Sequence, residues 1–152
     1  MLQNASVFAS ATESPRRSTS RPGTVLVVED DPGLLSLAAY VFGKEGYHVL
    51  TDVDAFGAQS LLVSHSVDLL FTDIDLAHGT SGVTLARDAR ALRSDLPVAY
   101  TSGRIDLSAD QMVPRSVFLP KPYRLAEVIG LPARLANSEA AIMPGCSAAS
   151  SP

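Results

Sequence analysis

The stretch Asp68-Leu69-Leu70-Phe71-Thr72-Asp73-Ile74 is the clearest indication of the fold, because a short apolar run ends directly in a carboxylate. An almost wholly apolar run of this length is typical of a parallel strand that is covered on both faces. Three other strand-like runs also end in polar groups: residues 25–28 precede Glu29 and Asp30, residues 98–100 precede Thr101, and residues 117–119 precede Lys121 and Pro122 with one residue between.

These polar groups are predicted to meet, because the carboxyl ends of strands in an open parallel α/β sheet face one crevice where ligands bind. Three carboxylates, one hydroxyl and one ammonium in a single crevice indicate a site for Mg²⁺ and a phosphoryl group. One of the carboxylates would then be the nucleophile.

Strand-like and helix-like segments alternate along the chain, which predicts an α/β fold with one parallel sheet and helices on both faces. The predicted strands are residues 24–28, 48–51, 68–72, 98–100 and 116–119. The predicted helices are residues 33–44, 55–63 and 82–92, with a weak pattern for a fourth over Ser108–Met112 and a last helix that starts near Arg124. Gly130 and Pro132 should interrupt that last helix.

The chain is predicted to form one domain between two tails. Its 152 residues, 46% apolar and 18% charged, are enough for one globular core. Residues 1–22 are rich in Ser, Thr, Ala and Arg and predict a disordered tail, as do residues 137–152, which are rich in Ser and Ala. The folded unit is therefore expected to span residues 23–136.

Charge and cysteine content narrow the function classes. The formal net charge is −4, and three arginines lie in residues 1–22, so the folded part is more acidic than the whole chain. This argues against nucleic acid as a partner, because binding to phosphate backbones needs a basic face. The single cysteine favours the cytoplasm, and no apolar run approaches the ~18 residues of a membrane span.

Asp73 is the predicted nucleophile, because a carboxylate can take a phosphoryl group to form an acyl phosphate. Asp30 and Asp73 are the predicted direct ligands of Mg²⁺, and Glu29 would bind directly or through water. Lys121 would place a point charge on the phosphoryl group, and Thr101 would donate one hydrogen bond to it.

Each of these residues also has a structural interpretation. Glu29 and Asp30 could simply favour the N-terminus of the following helix, for which Asp31 is the predicted cap. Asp73 could be an ordinary loop acid, and Thr101 and Lys121 could be solvated surface groups. The joint arrangement on separate strand ends favours the functional interpretation.

The ordered set of segments resembles the receiver domain of bacterial two-component response regulators. The resemblance covers about Thr24 to Leu135 and includes residues 25–32, 68–74, 97–103 and 118–123. It implies a flavodoxin-like, doubly wound sheet of order 2-1-3-4-5. It also implies that a histidine kinase or a phosphotransfer protein phosphorylates Asp73, with Glu29 and Asp30 in the Mg²⁺ pocket.

The same resemblance assigns further roles. The backbone carbonyl of Asp75 would be another Mg²⁺ ligand. Thr101 and Phe118 would form the switch pair, which repacks the face used for output after phosphorylation. The Lys121–Pro122 peptide bond would be cis.

The sequences of residues 69–74 and 101–104 are similar to those of stand-alone receivers. A single-domain response regulator without membrane association is therefore expected. It would not be a turnover enzyme, although it would catalyse its own phosphorylation and dephosphorylation. It would signal by binding another protein, or it would act as a relay or a sink for phosphoryl groups. A homodimer is compatible with this interpretation.

Two positions depart from the usual receiver pattern. Asp75, two residues after Asp73, adds a carboxylate that could repel phosphate, hold the attacking water, or only face solvent. Gly103, two residues after Thr101, offers no side chain to shield that water. An altered phosphoryl lifetime is predicted, of undetermined sign.

Three other functions compete with this interpretation. Asp73-Ile74-Asp75 resembles the Asp-x-Asp motif of haloacid-dehalogenase-like phosphatases. Two features oppose that assignment: those phosphatases have Thr or Val where this chain has Ala77, and their motif follows the first strand, whereas this one follows the third. A pseudo-receiver that never carries phosphate would not need the full set of acids with Thr101 and Lys121. A transcription factor is disfavoured by the acidic folded part.

Overall fold

The computed structural model describes residues 23–104 and 107–140, so the predicted first tail and residues 141–152 lie outside the described residues. Five parallel strands form one sheet in the order β2-β1-β3-β4-β5. The strands are β1 (Thr24–Val28), β2 (His48–Asp52), β3 (Leu69–Asp73), β4 (Val98–Ser102) and β5 (Ser116–Pro120). The predicted flavodoxin-like strand order is confirmed.

Within the described residues, five α-helices connect or follow these strands. They are α1 (Pro32–Lys44), α2 (Ala55–Ser64), α3 (Gly82–Leu92), α4 (Leu125–Ile129) and α5 (Leu131–Ala140). Helix α1 begins where Asp31 accepts a hydrogen bond from the backbone N–H of Leu34 at 2.9 Å, with Pro32 in its first turn. Asp54 caps α2 in the same way through the N–H of Gly57.

The helices cover both faces of the sheet, because side chains that alternate along each strand enter two separate cores. Helices α2 and α3 pack on one face, where Leu70 and Tyr100 point. Helices α1, α4 and α5 pack on the other, where Phe71 and Ala99 point. Strands β3 and β4 are fully buried, which explains the nearly unbroken apolar runs of their sequences.

The predicted helix over Ser108–Met112 is wrong, since these residues form turns. The N–H of Gln111 bonds to the carbonyl of Ser108 at 2.9 Å, and the Gln111 side chain accepts the N–H of Ser108. Pro114 follows closely and cannot continue a helix. The Tyr100 hydroxyl accepts the N–H of Val113 at 3.2 Å and ties this connection to β4.

The predicted interruption of the last helix is present. Helix α4 ends at Ile129 with Gly130 as its C-cap, and α5 begins at the next residue with Pro132 in its first turn, where proline is tolerated. Helix α5 includes residues 137–140, which the sequence assigned to the second tail. Within residues 23–104 and 107–140, none of the helices combines the length and the apolar character needed to cross a bilayer.

Candidate functional site

Strand register brings the predicted site residues together at the carboxyl edge of the sheet. Val28 on β1 pairs with Thr72 on β3, so Glu29 follows at the level of Asp73. Asp73 pairs with Thr101 on β4, and Ser102 pairs with Pro120 on β5, which immediately precedes Lys121. Four neighbouring strands therefore contribute polar groups to one crevice.

Asp73 lies at the floor of this crevice with only 5% of its surface exposed. Its Oδ2 accepts a hydrogen bond from Lys121 Nζ at 2.8 Å, and its Oδ1 accepts the N–H of Asp75 at 3.3 Å. Behind it, the Thr72 hydroxyl donates to the Asp73 carbonyl at 2.9 Å. Hydrogen bonds to both carboxylate oxygens thus fix the Asp73 side chain in place.

A glycine makes this position of Asp73 sterically feasible. Gly82, the first residue of α3, approaches the backbone of Asp73 so closely that an added Cβ would lie 2.0 Å from the Asp73 carbonyl oxygen. The N–H of Gly82 also bonds to the carbonyl of Ile74 at 2.9 Å. The start of α3 therefore supports the strand end that carries the predicted nucleophile.

Glu29, Asp30 and Asp73 form an acidic cluster in which one carboxylate oxygen from each residue lies within 4.8 Å of the others. Glu29 is 1% exposed, whereas Asp30 is open to solvent. Burial raises the pKa of Glu29, and the hydrogen bond from Lys121 opposes that rise only in part. The cluster therefore contains a carboxylate that is costly to ionise without a nearby cation.

These residues fit a divalent cation. Mg²⁺ prefers carboxylate oxygens at about 2.1 Å in an octahedron, which places its ligands about 3–4 Å apart. Three carboxylates face one ammonium, so negative charge remains in excess. Glu29, Asp30 and Asp73 could hold the ion; for the carbonyl of Asp75 the role stays a prediction.

Lys121 connects two buried acids. Its Nζ lies 2.8 Å from Glu29 Oε2 as well as 2.8 Å from Asp73 Oδ2. Burial alone would lower the pKa of Lys121, but hydrogen bonds and attraction from Asp73 and Glu29 outweigh it, so the pKa is raised. The Lys121–Pro122 peptide bond is cis, and the N–H of Lys121 bonds to the Ser102 carbonyl at 2.8 Å.

Thr101 and Phe118, the predicted switch pair, lie on β4 and β5. Thr101 is fully buried, and its hydroxyl has no hydrogen-bond partner within the part of the chain that the structure describes. Phe118 is half-buried against the core on the α2–α3 face, opposite Tyr100 in the strand register. An unsatisfied hydroxyl beside Asp73 is available to donate to a new acceptor; the coupling to Phe118 stays a prediction.

Sequence reasoning gave no role to Tyr123, which follows Lys121 and Pro122. Its hydroxyl is buried and unpartnered among the described residues, and its ring meets Phe71 edge-on at 5.8 Å. Burial, then the negative charge of Glu29, raises the pKa of Tyr123 to about 12. Because Tyr123 directly follows Lys121 and Pro122 in the sequence, its position near Glu29 and Asp73 could have been predicted.

The loops around the crevice carry two contacts between a basic and an acidic side chain that the sequence did not predict. Arg104 Nε lies 3.6 Å from Asp75 Oδ2, between the loops that follow β4 and β3. His78 Nδ1 lies 3.3 Å from Asp54 Oδ2 and joins the β3–α3 loop to the start of α2. Neither pair has a sequence pattern that would reveal it.

The arrangement combines a fixed carboxylate, an ammonium, a free hydroxyl and a candidate cation cluster. A phosphoryl group that approaches Asp73 would meet positive charge from Lys121 and a donor from Thr101. These are the elements that phosphoryl transfer to a carboxylate requires.

Comparison with known proteins agrees with this geometry. Residues 25–129, more than half of the chain, match the model of a family described as the response regulator receiver domain. A crystal structure of a response regulator receiver protein from Sinorhizobium medicae superposes with a TM-score of 0.71 at 28% identity, over 77% of this chain and 97% of that one.

Two curated relatives are transcriptional regulators. The chain is 38% identical over 87 residues to the regulatory protein AruR of Pseudomonas aeruginosa, covering 54% of this chain and 35% of AruR. It is 30% identical over 112 residues to the regulatory protein TorR of Escherichia coli, covering 71% of this chain and 47% of TorR. The chain thus spans about a third to a half of the length of these relatives.

Proposed function

The chain belongs to the response regulator receiver family, and we propose that it accepts a phosphoryl group on Asp73 and signals in that state. The observation that supports the proposal is the contact of Lys121 Nζ with both Asp73 and Glu29 at 2.8 Å, inside the acidic cluster. A structural ion pair needs only one carboxylate, whereas this crevice gathers three.

The proposed transfer starts from the fixed Asp73 carboxylate. One of its oxygens attacks phosphorus, the bond from phosphorus to the leaving group of the donor breaks, and the leaving group takes the electron pair. Lys121 pairs with the incoming phosphoryl oxygens. A bound Mg²⁺ would supply neutralisation of the charge on those oxygens. Glu29 and Asp30 would hold that ion beside Asp73.

Thr101 is proposed to report the transfer. Its hydroxyl is buried without a hydrogen-bond partner among the described residues, so an acceptor on Asp73 would satisfy it. Phe118 is proposed to occupy the space that Thr101 leaves, which shifts the population between two packings of the β4–β5 side.

A histidine kinase or a phosphotransfer protein is the proposed donor, and another protein is the proposed receiver of the signal. The folded part carries more acidic than basic side chains, which favours protein over nucleic acid as its direct contact. We further propose that the protein acts in the cytoplasm as a response regulator, a phosphoryl relay or a phosphate sink. A homodimer stays a prediction.

Phosphorylation by a small donor tests the acceptor. The purified protein is incubated with acetyl phosphate or phosphoramidate, with and without Mg²⁺, and its intact mass is measured beside Asp73→Asn. We expect one phosphoryl group, dependent on Mg²⁺ and absent from Asp73→Asn. The absence of an adduct with either donor would favour a pseudo-receiver, and steady release of phosphate from unrelated esters would favour a phosphatase.

Transfer from kinases tests the place in signalling. Radiolabelled histidine kinases and phosphotransfer proteins from the same genome are mixed with the chain, and label is followed over seconds to minutes. Rapid onward transfer to a second histidine protein would indicate a relay, and rapid loss as phosphate would indicate a sink. Retention of label would indicate an effector that binds its target while phosphorylated.

A further inference from the structure

The hydroxyl of Tyr123 is a buried polar group that the proposed transfer does not use. It has no hydrogen-bond partner among the residues that the structure describes. A buried hydroxyl in this situation has lost its bonds to water and gained none in return, which costs stability. Phenylalanine would fill the same space without that cost, which points to a partner for the hydroxyl in another state of the site.

Tyr123 lies on the side of the sheet that carries Glu29. Its ring meets the ring of Phe71 edge-on at 5.8 Å. Phe71 on β3 pairs with Val27 on β1. Glu29 is two residues beyond Val27, and its N–H still bonds to the carbonyl of Asp52 at 3.1 Å, so its side chain follows the alternation of the strand onto the same face.

Glu29 Oε2 is the acceptor that this hydroxyl can serve. Glu29 Oε1 accepts the N–H of Asp31 at 3.1 Å, and Oε2 lies 2.8 Å from Lys121 Nζ. Because Glu29 is only 1% exposed, water has little access to replace a lost partner. Burial raises the pKa of Tyr123 to about 12, and among the neighbouring charges that of Glu29 contributes most. The hydroxyl therefore keeps its proton at neutral pH and can donate it in a hydrogen bond.

A phosphoryl group on Asp73 would change the balance of charges around Lys121. Its single ammonium is shared, at 2.8 Å each, between Asp73 and Glu29. In the proposed transfer Lys121 pairs with the added phosphoryl oxygens, so its hold on Glu29 weakens. Glu29 is then a buried carboxylate that lacks a donor, which is unfavourable unless another group replaces the ammonium.

We propose that Tyr123 is the reserve donor of Glu29, meaning that its hydroxyl bonds to Glu29 Oε2 when Lys121 turns to the phosphoryl group on Asp73. The exchange forms and breaks hydrogen bonds only. Tyr123 is a positioning residue, because it acts through Glu29 and does not touch the reacting atoms. The inference rests on the proposed function, since it requires a phosphoryl group on Asp73.

Thermal unfolding of the unphosphorylated full chain tests the pairing, because Lys121→Met imitates the loss of the ammonium. Tyr123→Phe alone should leave the Tm unchanged or raise it, since the hydroxyl has no partner to lose. In the Lys121→Met background the same substitution should lower the Tm by about 3–6 °C, since Glu29 then loses its remaining donor. Tyr40→Phe is the matched control: Tyr40 is exposed on α1 and should have the same effect in both backgrounds.

Near-ultraviolet absorption tests the exchange in the phosphorylated state. The chain has four tyrosines and no tryptophan, so the tyrosine band is not masked. The protein is phosphorylated with acetyl phosphate and Mg²⁺, and intact mass gives the amount of adduct. We expect a shift of the tyrosine band to longer wavelength, as donation to a carboxylate produces, which is absent from phosphorylated Tyr123→Phe and retained in Tyr40→Phe.

The rate of adduct formation gives a third measurement. It should be about three- to tenfold slower in Tyr123→Phe, which is the range expected for one lost hydrogen bond. Asp73→Asn, treated in the same way, shows whether acetyl phosphate alone changes the spectrum.

Three results would overturn the inference. An equal loss of Tm in both backgrounds would mean that the hydroxyl already has a partner in the resting state, and no loss in either would mean that Glu29 does not use it. A band shift that persists in Tyr123→Phe would belong to another tyrosine. If Lys121→Met does not fold, the spectrum alone decides. If the unmodified protein forms no adduct, the proposed function fails, and the thermal comparison still tests the pairing by itself.

Discussion

Lys121 carries the charge balance of the site, and its loss should be costly. It is the ammonium between Glu29 and Asp73, and its side chain is only 17% exposed. Lys121→Met should lower the free energy of unfolding by about 2–3 kcal/mol, because removing one partner leaves buried carboxylates uncompensated. We expect a smaller loss of stability than for a fully buried ion pair, because some water reaches the ammonium.

Urea unfolding with and without Mg²⁺ measures this effect. Mg²⁺ should stabilise Lys121→Met more than the unmodified protein, because the cation replaces part of the missing charge. Lys44→Met is the control, since Lys44 is exposed on α1 and only rests on the ring of Tyr40. Equal losses in the two variants would contradict the assigned role of Lys121.

Gly82 controls the position of Asp73 through steric contact. In Gly82→Ala the new methyl group would lie 2.0 Å from the Asp73 carbonyl oxygen, so the start of α3 or the end of β3 must move. We expect a loss of about 1–3 kcal/mol of stability and slower adduct formation. Gly43→Ala is the matched control, because nothing lies within 4 Å of its added Cβ and alanine favours the helix. Unchanged phosphorylation in Gly82→Ala would show that the close approach of Gly82 does not position Asp73.

At the residue scale, the convergence of Glu29, Asp73, Thr101 and Lys121 could be predicted from sequence, because parallel strand ends share one edge. Their chemical roles stay predictions until phosphorylation is measured. The pairing of Arg104 with Asp75 could not be predicted, because it depends on the path of two loops rather than on the repeating pattern of apolar residues that marks a helix or a strand. The close approach of Gly82 likewise depends on how α3 meets β3.

At the scale of elements, the connection between β4 and β5 is the main departure from the sequence prediction. Tyr100 is fully buried on the α2–α3 face, and its hydroxyl accepts the N–H of Val113 at 3.2 Å. Tyr100→Phe should cost about 1 kcal/mol, since the buried N–H of Val113 loses its partner. Urea unfolding measures the cost, and faster hydrogen exchange at Val113 should accompany it. Unaltered exchange at this amide would mean that the hydrogen bond does not hold the connection.

The start of α2 should respond to acid pH. The N–H of Gly57 and the charge of His78 lower the pKa of Asp54 below its ordinary value of 3.8. A lowered pKa contributes stability that is present above the unfolded value and lost as pH falls through the folded value. Asp54→Asn should therefore be less stable than the unmodified protein at neutral pH, and this difference should shrink below about pH 4. Urea unfolding at several pH values measures it, and a constant difference would contradict the assignment.

Local signals predicted some elements well and one wrongly. Helix α3 was predicted at residues 82–92 and lies there, because Ser81 caps its start and its apolar positions repeat with helical spacing. The helix over Ser108–Met112 was wrong, because Gln111 bonds back to Ser108 and Pro114 follows. Short segments of this kind are decided by side-chain contacts that periodicity does not report.

At the scale of the whole molecule, alternating strands and helices were enough to predict a doubly wound parallel sheet, and the resemblance supplied its order. The family assignment made from the four strand-end segments is confirmed. Between β4 and β5, the described residues form turns where the sequence predicted a helix.

Mapping the adduct identifies the residue that carries the phosphoryl group, which we expect to be Asp73. The protein is phosphorylated with acetyl phosphate and Mg²⁺, reduced with borohydride to convert an acyl phosphate into homoserine, and digested for peptide mass analysis. We expect homoserine at position 73 only, and only when both donor and Mg²⁺ are present. Homoserine at Asp30 or Asp75, or at no aspartate, would contradict it.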